Sequence, residues 1–237
     1  MTDFEIKALK DITIETVTKS IINETSKCGF RQADYISLVN AILDLSLTKY
    51  PSNNVKQQKI DITSETTQIT LPVTGENVRI RSFSRTVDYE IVNKWLEDDL
   101  GRWFLLSRPD TREMTLDQLI EDKDNILAMI LLHDDSPIGL LAFLDINKEY
   151  SKAELRKLIG DPEFREKGFA KEATKLWIQY GINTLRLKKI YLNTIENNIR
   201  NITLNMELGF KVEGVLRKEC FIDNEYYDIL RMGLIVE

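Results

Sequence analysis

The middle of the chain changes from a two-residue spacing of apolar side chains to a helical spacing. Between residues 152 and 159, apolar and polar side chains alternate, which predicts a half-buried strand. Pro162 ends this pattern, because proline cannot donate to a strand ladder. A helix is predicted to begin near Phe169 and to stop at Gly181. Its buried positions are Ala173, Leu176, Trp177 and Tyr180.

Periodicity and turn residues divide the rest of the chain in the same way. They predict two N-terminal helices, a polar linker and a short strand at 16–27, 32–47, 56–67 and 68–73. Further strands are predicted at 78–81, 126–132, 138–145 and 189–196, further helices at 88–95, 115–121 and 198–208, and a hairpin at 212–223 and 226–234. We therefore divide the chain near residue 60 into a helical extension with its linker, 1–60, and a larger α/β domain, 61–237.

Composition narrows the class of protein. With 237 residues, 43% hydrophobic and 30% charged, the chain has the composition of a soluble globular protein with a full core. It shows no apolar run of ~20 residues and no secretory signal, so no membrane association is expected. The net charge of −6 argues against nucleic-acid binding and favours cationic amines as partners. Cys28 and Cys220 suggest neither a disulfide framework nor a metal site, which favours a cytoplasmic setting.

The loop between the predicted strand and helix has the character of an anion site. The start of a helix presents unpaired backbone N–H groups and the positive end of the helix dipole, which together suit a phosphate group. Gly168 and Ala170 leave room for such a group there. Similar turns also precede many helices that bind nothing.

This loop, Arg-x-x-Gly-x-Ala at residues 165–170, resembles the acyl-CoA pyrophosphate loop of the GNAT N-acetyltransferase superfamily. A second segment is similar to that family as well: Asn198 opens a helix that ends at Leu208-Gly209-Phe210. The likeness covers roughly residues 78–236. Within the superfamily, the chain resembles the branch that acetylates ribosomal proteins, spermidine and amino sugars. It implies the GNAT fold, an α/β fold with a mixed, mostly antiparallel central sheet that is splayed at the acyl-CoA site and flanked by helices.

The resemblance also implies a co-substrate, acetyl-CoA, and no metal. The backbone of Leu158 and Ile159 is expected to contact the pantetheine arm. The pyrophosphate loop then comprises Arg165, Glu166, Lys167, Gly168, Phe169 and Ala170. Asn198 is expected to make a further contact with the cofactor.

The implied chemistry is direct transfer of an acetyl group to a primary amine. Glu154 is the expected general base, directly or through a water, although it could instead form a salt bridge with a neighbouring strand. Many family members place a proton-donating tyrosine four residues before the glycine of Leu-Gly-Phe, where this chain has Asn205. An asparagine cannot deliver a proton at neutral pH. We therefore expect Asn205 to stabilise the thiolate while solvent, Tyr226 or Tyr227 supplies the proton.

The sequence leaves three functions open. The first is acetylation of a small-molecule amine such as an amino sugar or polyamine, the second is protein N-terminal acetylation, and the third is a non-catalytic acyl-CoA-binding or assembly module. Arg102 and Arg108 are candidates for contacting an anionic acceptor, whereas Trp103 and Phe104 are expected in the core. His133 is expected at an exposed turn. The helical extension is either a docking or homodimerisation element or a packing appendage.

Overall fold

The computed structural model describes residues 3–49, 68–97, 101, 104, 115–195, 199–222 and 224–236. Contacts between Cα atoms divide the chain into two compact units, residues 1–50 and 51–237. The boundary predicted near residue 60 and the linker at 56–67 lie outside the described residues, as do Arg102, Trp103 and Arg108.

The first unit is a pair of helices, α1 (Asp3–Lys27) and α2 (Gln32–Lys49). The helix α1 begins well before the predicted residue 16, because the preceding residues contain neither glycine nor proline. Gly29 turns the chain between the helices with a φ of 77°. The two helices contact each other through the hydroxyls of Thr25 and Tyr35, whose oxygens are 3.0 Å apart.

The second unit is built on an eight-stranded sheet. Its strands are β1 (Val73–Thr74), β2 (Arg79–Ser82), β3 (Ile126–Leu131), β4 (Pro137–Asn147), β5 (Lys152–Ile159), β6 (Lys189–Ile195), β7 (Lys211–Ile222) and β8 (Glu225–Ile235). They lie in the order β1-β2-β3-β4-β5-β6-β8-β7. Neighbours are antiparallel except β5 and β6, which are parallel. The mixed, mostly antiparallel sheet flanked by helices is therefore confirmed.

One face of the sheet is covered by α3 (Arg85–Leu96) and α4 (Leu116–Glu121). Their buried residues form one cluster with strand side chains, among them Val92, Trp95, Leu119, Met129, Leu140 and Leu158. The helix α3 is tied to β2 by the buried carboxylate of Asp88, which accepts hydrogen bonds from Arg81 Nη1 and Nη2 at 2.6 and 2.7 Å. This bidentate pair fixes the entry of the chain into α3.

The opposite face carries α5 (Phe169–Asn183), which connects β5 to its parallel neighbour β6. Trp177 of α5 stacks on Phe143 of β4 with ring centroids 5.0 Å apart. The predicted stop at Gly181 is wrong, because α5 continues for two residues beyond it. Gly181 is a close-contact position instead: a Cβ there would lie 2.6 Å from Cζ of Phe143. The next helix, α6, spans Ile199–Glu207.

The strand predicted at 68–73 is also wrong, since only its last residue, Val73, belongs to β1. Pro72 cannot donate to a ladder. The N–H of Ile69 is bonded to a side chain instead, Oγ1 of Thr184, at 3.1 Å. The other predicted strands and helices of this unit are present, with ends shifted by a few residues.

Candidate functional site

The sheet opens between β5 and β6. These strands pair at Lys152–Lys189, Ala153–Ile190 and Glu154–Tyr191, and no further pair joins them in the described chain. Beyond this point β5 continues against β4 as far as Ile159, while β6 continues against β8 as far as Ile195. In the part of the chain that the structure describes, no strand pairs with this edge at the final residues of β5. Such an edge can bind amide groups of an extended ligand.

The loop after β5 is held against the end of that strand. Asp161 accepts a hydrogen bond from the Glu163 N–H at 2.9 Å and so begins a short 3₁₀ turn at Pro162–Phe164. Arg165 donates from Nε to the Ile159 carbonyl and from Nη2 to the Gly160 carbonyl, both at 3.0 Å. Its guanidinium is thus bonded to protein backbone, and these two bonds hold the loop against the end of β5.

The loop ends in an open cradle at the start of α5. Gly168 adopts a φ of 89° and is the residue from which α5 begins. A Cβ at this position would meet nothing within 4 Å, so space lies directly beside the glycine. The first intrahelical bond runs from the Lys171 N–H to the Gly168 carbonyl at 3.0 Å. The N–H groups before it have no partner within the helix, as at any helix start, and they fit an anionic group.

The structure brings most of the predicted cofactor contacts to one place. Leu158 and Ile159 end β5, Arg165, Glu166 and Lys167 lie in the loop, and Gly168, Phe169 and Ala170 begin α5. The side chain of Leu158 is buried in the core, which leaves only its backbone at the edge of the strand. Asn198 lies outside the described residues.

Glu154 is buried, and its carboxylate accepts hydrogen bonds from two side chains. Its Oε1 accepts hydrogen bonds from Arg156 Nε and from Asn193 Nδ2, both at 3.2 Å. The ion pair that the sequence allowed as an alternative does form, but its partner lies two residues along the same strand rather than on a neighbouring strand. Arg156 also bonds the Phe104 carbonyl through Nη1, and Phe104 is buried as predicted.

Asn205 lies on α6 and is completely buried. Its Oδ1 accepts a hydrogen bond from the Lys157 ammonium, and its buried Nδ2 has no hydrogen-bond partner among the described residues. Burial lowers the pKa of Lys157 to about 7. Sequence reasoning did not single out Lys157. The pattern that could have identified it is a lysine on the strand face that also carries Ala153 and Leu155, both of them buried.

The other candidates lie at the surface. Tyr226 is 62% exposed, and the hydroxyl of Tyr227 donates to Oε2 of Glu225 at 3.2 Å. His133 is exposed at its turn, as expected, and its Nε2 lies 2.8 Å from the Glu76 carbonyl. In the described ranges no three His, Cys, Asp or Glu side chains come together to hold a metal ion. Nor does any helix described in the structure have the length and apolar character to cross a bilayer.

The sheet opens beside the cradle at the start of α5, which is the arrangement that the GNAT resemblance implies. The family model for the acetyltransferase (GNAT) domain matches residues 77–211. The chain therefore belongs to the GNAT acetyltransferase family, which confirms the resemblance found in the sequence.

Several relatives have names or solved structures. Over 99 residues the chain is 38% identical to the spermidine N(1)-acetyltransferase of Escherichia coli K12, covering 42% of this chain and 53% of that protein. The match thus spans about half the length of that curated relative. An uncharacterized prophage-derived N-acetyltransferase of Bacillus subtilis is 28% identical, with 69% of this chain and 93% of that protein covered. The spermidine N-acetyltransferase of Vibrio cholerae in complex with CoA and spermine is 27% identical with a TM-score of 0.57, covering 67% and 95% of the two chains.

Proposed function

We propose that the chain is an acetyl-CoA-dependent N-acetyltransferase that acts on a primary amine of a small molecule, with a polyamine as the favoured acceptor. The observation that carries the proposal is the unpaired edge of β5, which leads directly into the cradle at Gly168. An extended arm with amide groups and a pyrophosphate fits that edge and that cradle together.

The residues of the chain bind and orient, and acetyl-CoA, when bound, supplies the activated acyl thioester. The backbone of Leu158 and Ile159 binds the pantetheine arm. The loop from Arg165 to Ala170 holds the pyrophosphate, with Asn198 as an additional contact. Holding the amine and the thioester together supplies up to about 7–11 kcal/mol of the barrier reduction in favourable systems.

Glu154 is proposed as the general base for the amine. Its bonds to Arg156 and Asn193 fix the carboxylate at the inner end of the split, where β5 and β6 cease to pair. A proton leaves the amine for Glu154 directly or through a water. Asn205, on the helix that follows β6, is proposed to stabilise the departing sulfur.

The acceptor is argued from charge and from relatives. The net charge of −6 favours a cationic acceptor, and named relatives act on spermidine or spermine. A structure of the Vibrio cholerae enzyme is described as dodecameric, which supports self-association of this chain, at least as a homodimer. A cytoplasmic location is part of the proposal, in keeping with two cysteines that form no disulfide.

A non-catalytic acyl-CoA-binding module is the second candidate. Asn205 favours it, because this residue stands where the resemblance places a proton-donating tyrosine. The separate helical unit, residues 1–50, would then serve assembly with a partner. This candidate predicts cofactor binding without release of CoA thiol when spermidine is added.

Thermal unfolding with and without acetyl-CoA tests the cofactor assignment. At 100 times its dissociation constant, a ligand stabilises by about 2.7 kcal/mol, which corresponds to roughly 5–10 °C for a chain of this size. Gly168→Glu should abolish the shift, because it fills the cradle with a carboxylate. Gly29→Glu is the matched control, since Gly29 also has a positive φ and a Cβ there also meets nothing within 4 Å, but it lies between α1 and α2. An unchanged melting temperature in the wild type would overturn the proposal.

A further inference from the structure

Lys157 occupies a position that its strand otherwise gives to apolar side chains. Ala153 and Leu155, on the same face of β5, are buried, and the residue opposite Lys157 on β4 is Leu141. A cationic group in such surroundings is costly unless a partner or a chemical role compensates for it. Its neighbour Leu158 points into the core on the α3 side, so Lys157 faces the side of the sheet that carries α5 and α6.

The partner of Lys157 is neutral. Among the described residues, its Nζ donates to Oδ1 of Asn205. Two ion pairs involve residues of the same strand and of the two helices on this side of the sheet. Lys171 of α5 pairs with Glu207 of α6 at 3.0 Å, whereas Glu154 and Arg156 lie on the other face of β5. Burial disfavours the charged form and lowers the pKa of Lys157 to about 7.

The contact between Lys157 and Asn205 spans the split in the sheet. Lys157 lies three residues beyond the last β5–β6 pair, and Asn205 belongs to the helix that follows β6. The cradle loop begins at Gly160, about 10 Å further along β5 at the usual rise of a strand. A ligand arm that runs along β5 from the cradle toward Glu154 therefore passes this pair.

We propose that Lys157 donates the proton that the departing CoA sulfur takes up, and that Asn205 positions its ammonium group. The inference rests on the proposed function. The amine nitrogen forms the new bond to the acetyl carbon, the carbon–sulfur bond breaks, and sulfur keeps the electron pair. One proton moves from Nζ to sulfur, which leaves a neutral amine on Lys157. The proton that the substrate amine loses passes to Glu154 and solvent, and Lys157 is reprotonated from solvent.

Lys157 and Asn205 together can protonate the sulfur, which Asn205 alone cannot do. An amide group donates hydrogen bonds but no proton at neutral pH, whereas an ammonium group with a pKa near neutrality can release one. The buried Nδ2 of Asn205 lacks a partner in the described structure and can donate a hydrogen bond to the same sulfur.

The test follows the thiol of bound CoA through its ultraviolet thiolate absorbance as the pH is raised. In the wild type, the thiolate and the Lys157 ammonium should stabilise each other as an ion pair, so that the thiolate forms at lower pH than in Lys157→Met. At neutral pH we expect at least a tenfold larger thiolate fraction in the wild type. Lys188→Met, which removes an exposed lysine, is the matched control and should titrate like the wild type.

Turnover with acetyl-CoA and spermidine gives the second readout. Lys157→Met should lower kcat at least tenfold with little change in the KM for acetyl-CoA, and wild-type kcat should fall as the pH rises above about 7. Lys157→Arg separates charge from proton transfer, because arginine stays protonated. It should restore thiolate formation on bound CoA without restoring kcat.

Each contrary result identifies which claim is wrong. If Lys157→Met and Lys157→Arg bind CoA, titrate its thiol like the wild type and keep kcat within twofold, the role of Lys157 is overturned and the proposed function stands. If the wild type binds no CoA, the proposed function fails and this inference fails with it. Thermal unfolding of both variants establishes that each is folded.

Discussion

Arg165 donates from Nε to the carbonyl oxygen of Ile159 at 3.0 Å, and this bond fastens the cradle loop to the strand that precedes it. The Gly160 carbonyl accepts a second bond from the same guanidinium. In the sequence, Arg165 looks like a pyrophosphate ligand. In the structure, its side chain donates to two carbonyl groups at the end of β5 and the start of the loop.

Removing this clamp should weaken both the fold and cofactor binding. Arg165→Ala loses two charge-assisted hydrogen bonds at a half-buried site, for which we expect a loss of about 1–2 kcal/mol in unfolding free energy. The loosened loop should bind CoA about tenfold more weakly, measured by calorimetry. Arg217→Ala, at an exposed position of β7, is the control. Wild-type CoA affinity in Arg165→Ala would show that the clamp does not shape the cradle.

The stack of Trp177 on Phe143 should carry much of the packing between α5 and the sheet. Trp177→Ala should cost about 3–5 kcal/mol in denaturant unfolding. Trp177→Phe should cost far less, about 1 kcal/mol, because it keeps an aromatic ring and removes Nε1, which is buried with no hydrogen-bond partner in the described ranges. Equal losses in the two variants would mean that the stack contributes little. Tyr150→Ala, at a 65% exposed position, should be nearly neutral.

The lowered pKa of Lys157, about 7, predicts a dependence of stability on pH. The unfolded chain keeps this proton up to the ordinary lysine pKa of about 10.4, so between pH 7 and 10 it binds more protons than the folded chain. The unfolding free energy should therefore rise with pH in this window, by up to about 1.4 kcal/mol per unit. Lys157→Met should lack this contribution, whereas Lys188→Met should keep it. Urea unfolding at several pH values measures the difference.

The two cysteines should differ in reactivity. Cys28 is exposed, whereas Cys220 is buried and burial raises the pKa of its thiol, so little thiolate forms there. Under native conditions, alkylation followed by mass spectrometry should modify Cys28 at least tenfold faster than Cys220. Denaturant should remove the difference. Rapid native labelling at Cys220 in a Cys28→Ser variant would contradict the burial of this strand.

The order of elements and the cradle were predictable because their signals are local. Alternation along β5 and helical spacing after Phe169 each involve neighbours in the chain, and Gly168 marks the junction between them. The predictions were wrong where tertiary contacts determine the local structure. Gly181 continues a helix because it packs on Phe143, and the N–H of Ile69 bonds Thr184, which lies 115 residues away.

The sequence by itself determined the fold class, the family resemblance and the position of the loop before α5, since each depends on short-range periodicity or on a motif. Only the tertiary structure decided the partners of the buried and half-buried charges. Lys157 meets Asn205 across 48 residues, and Glu154 meets Asn193 across 39. These contacts depend on where the parallel strands β5 and β6 cease to pair, and a strand's own residues do not encode that register.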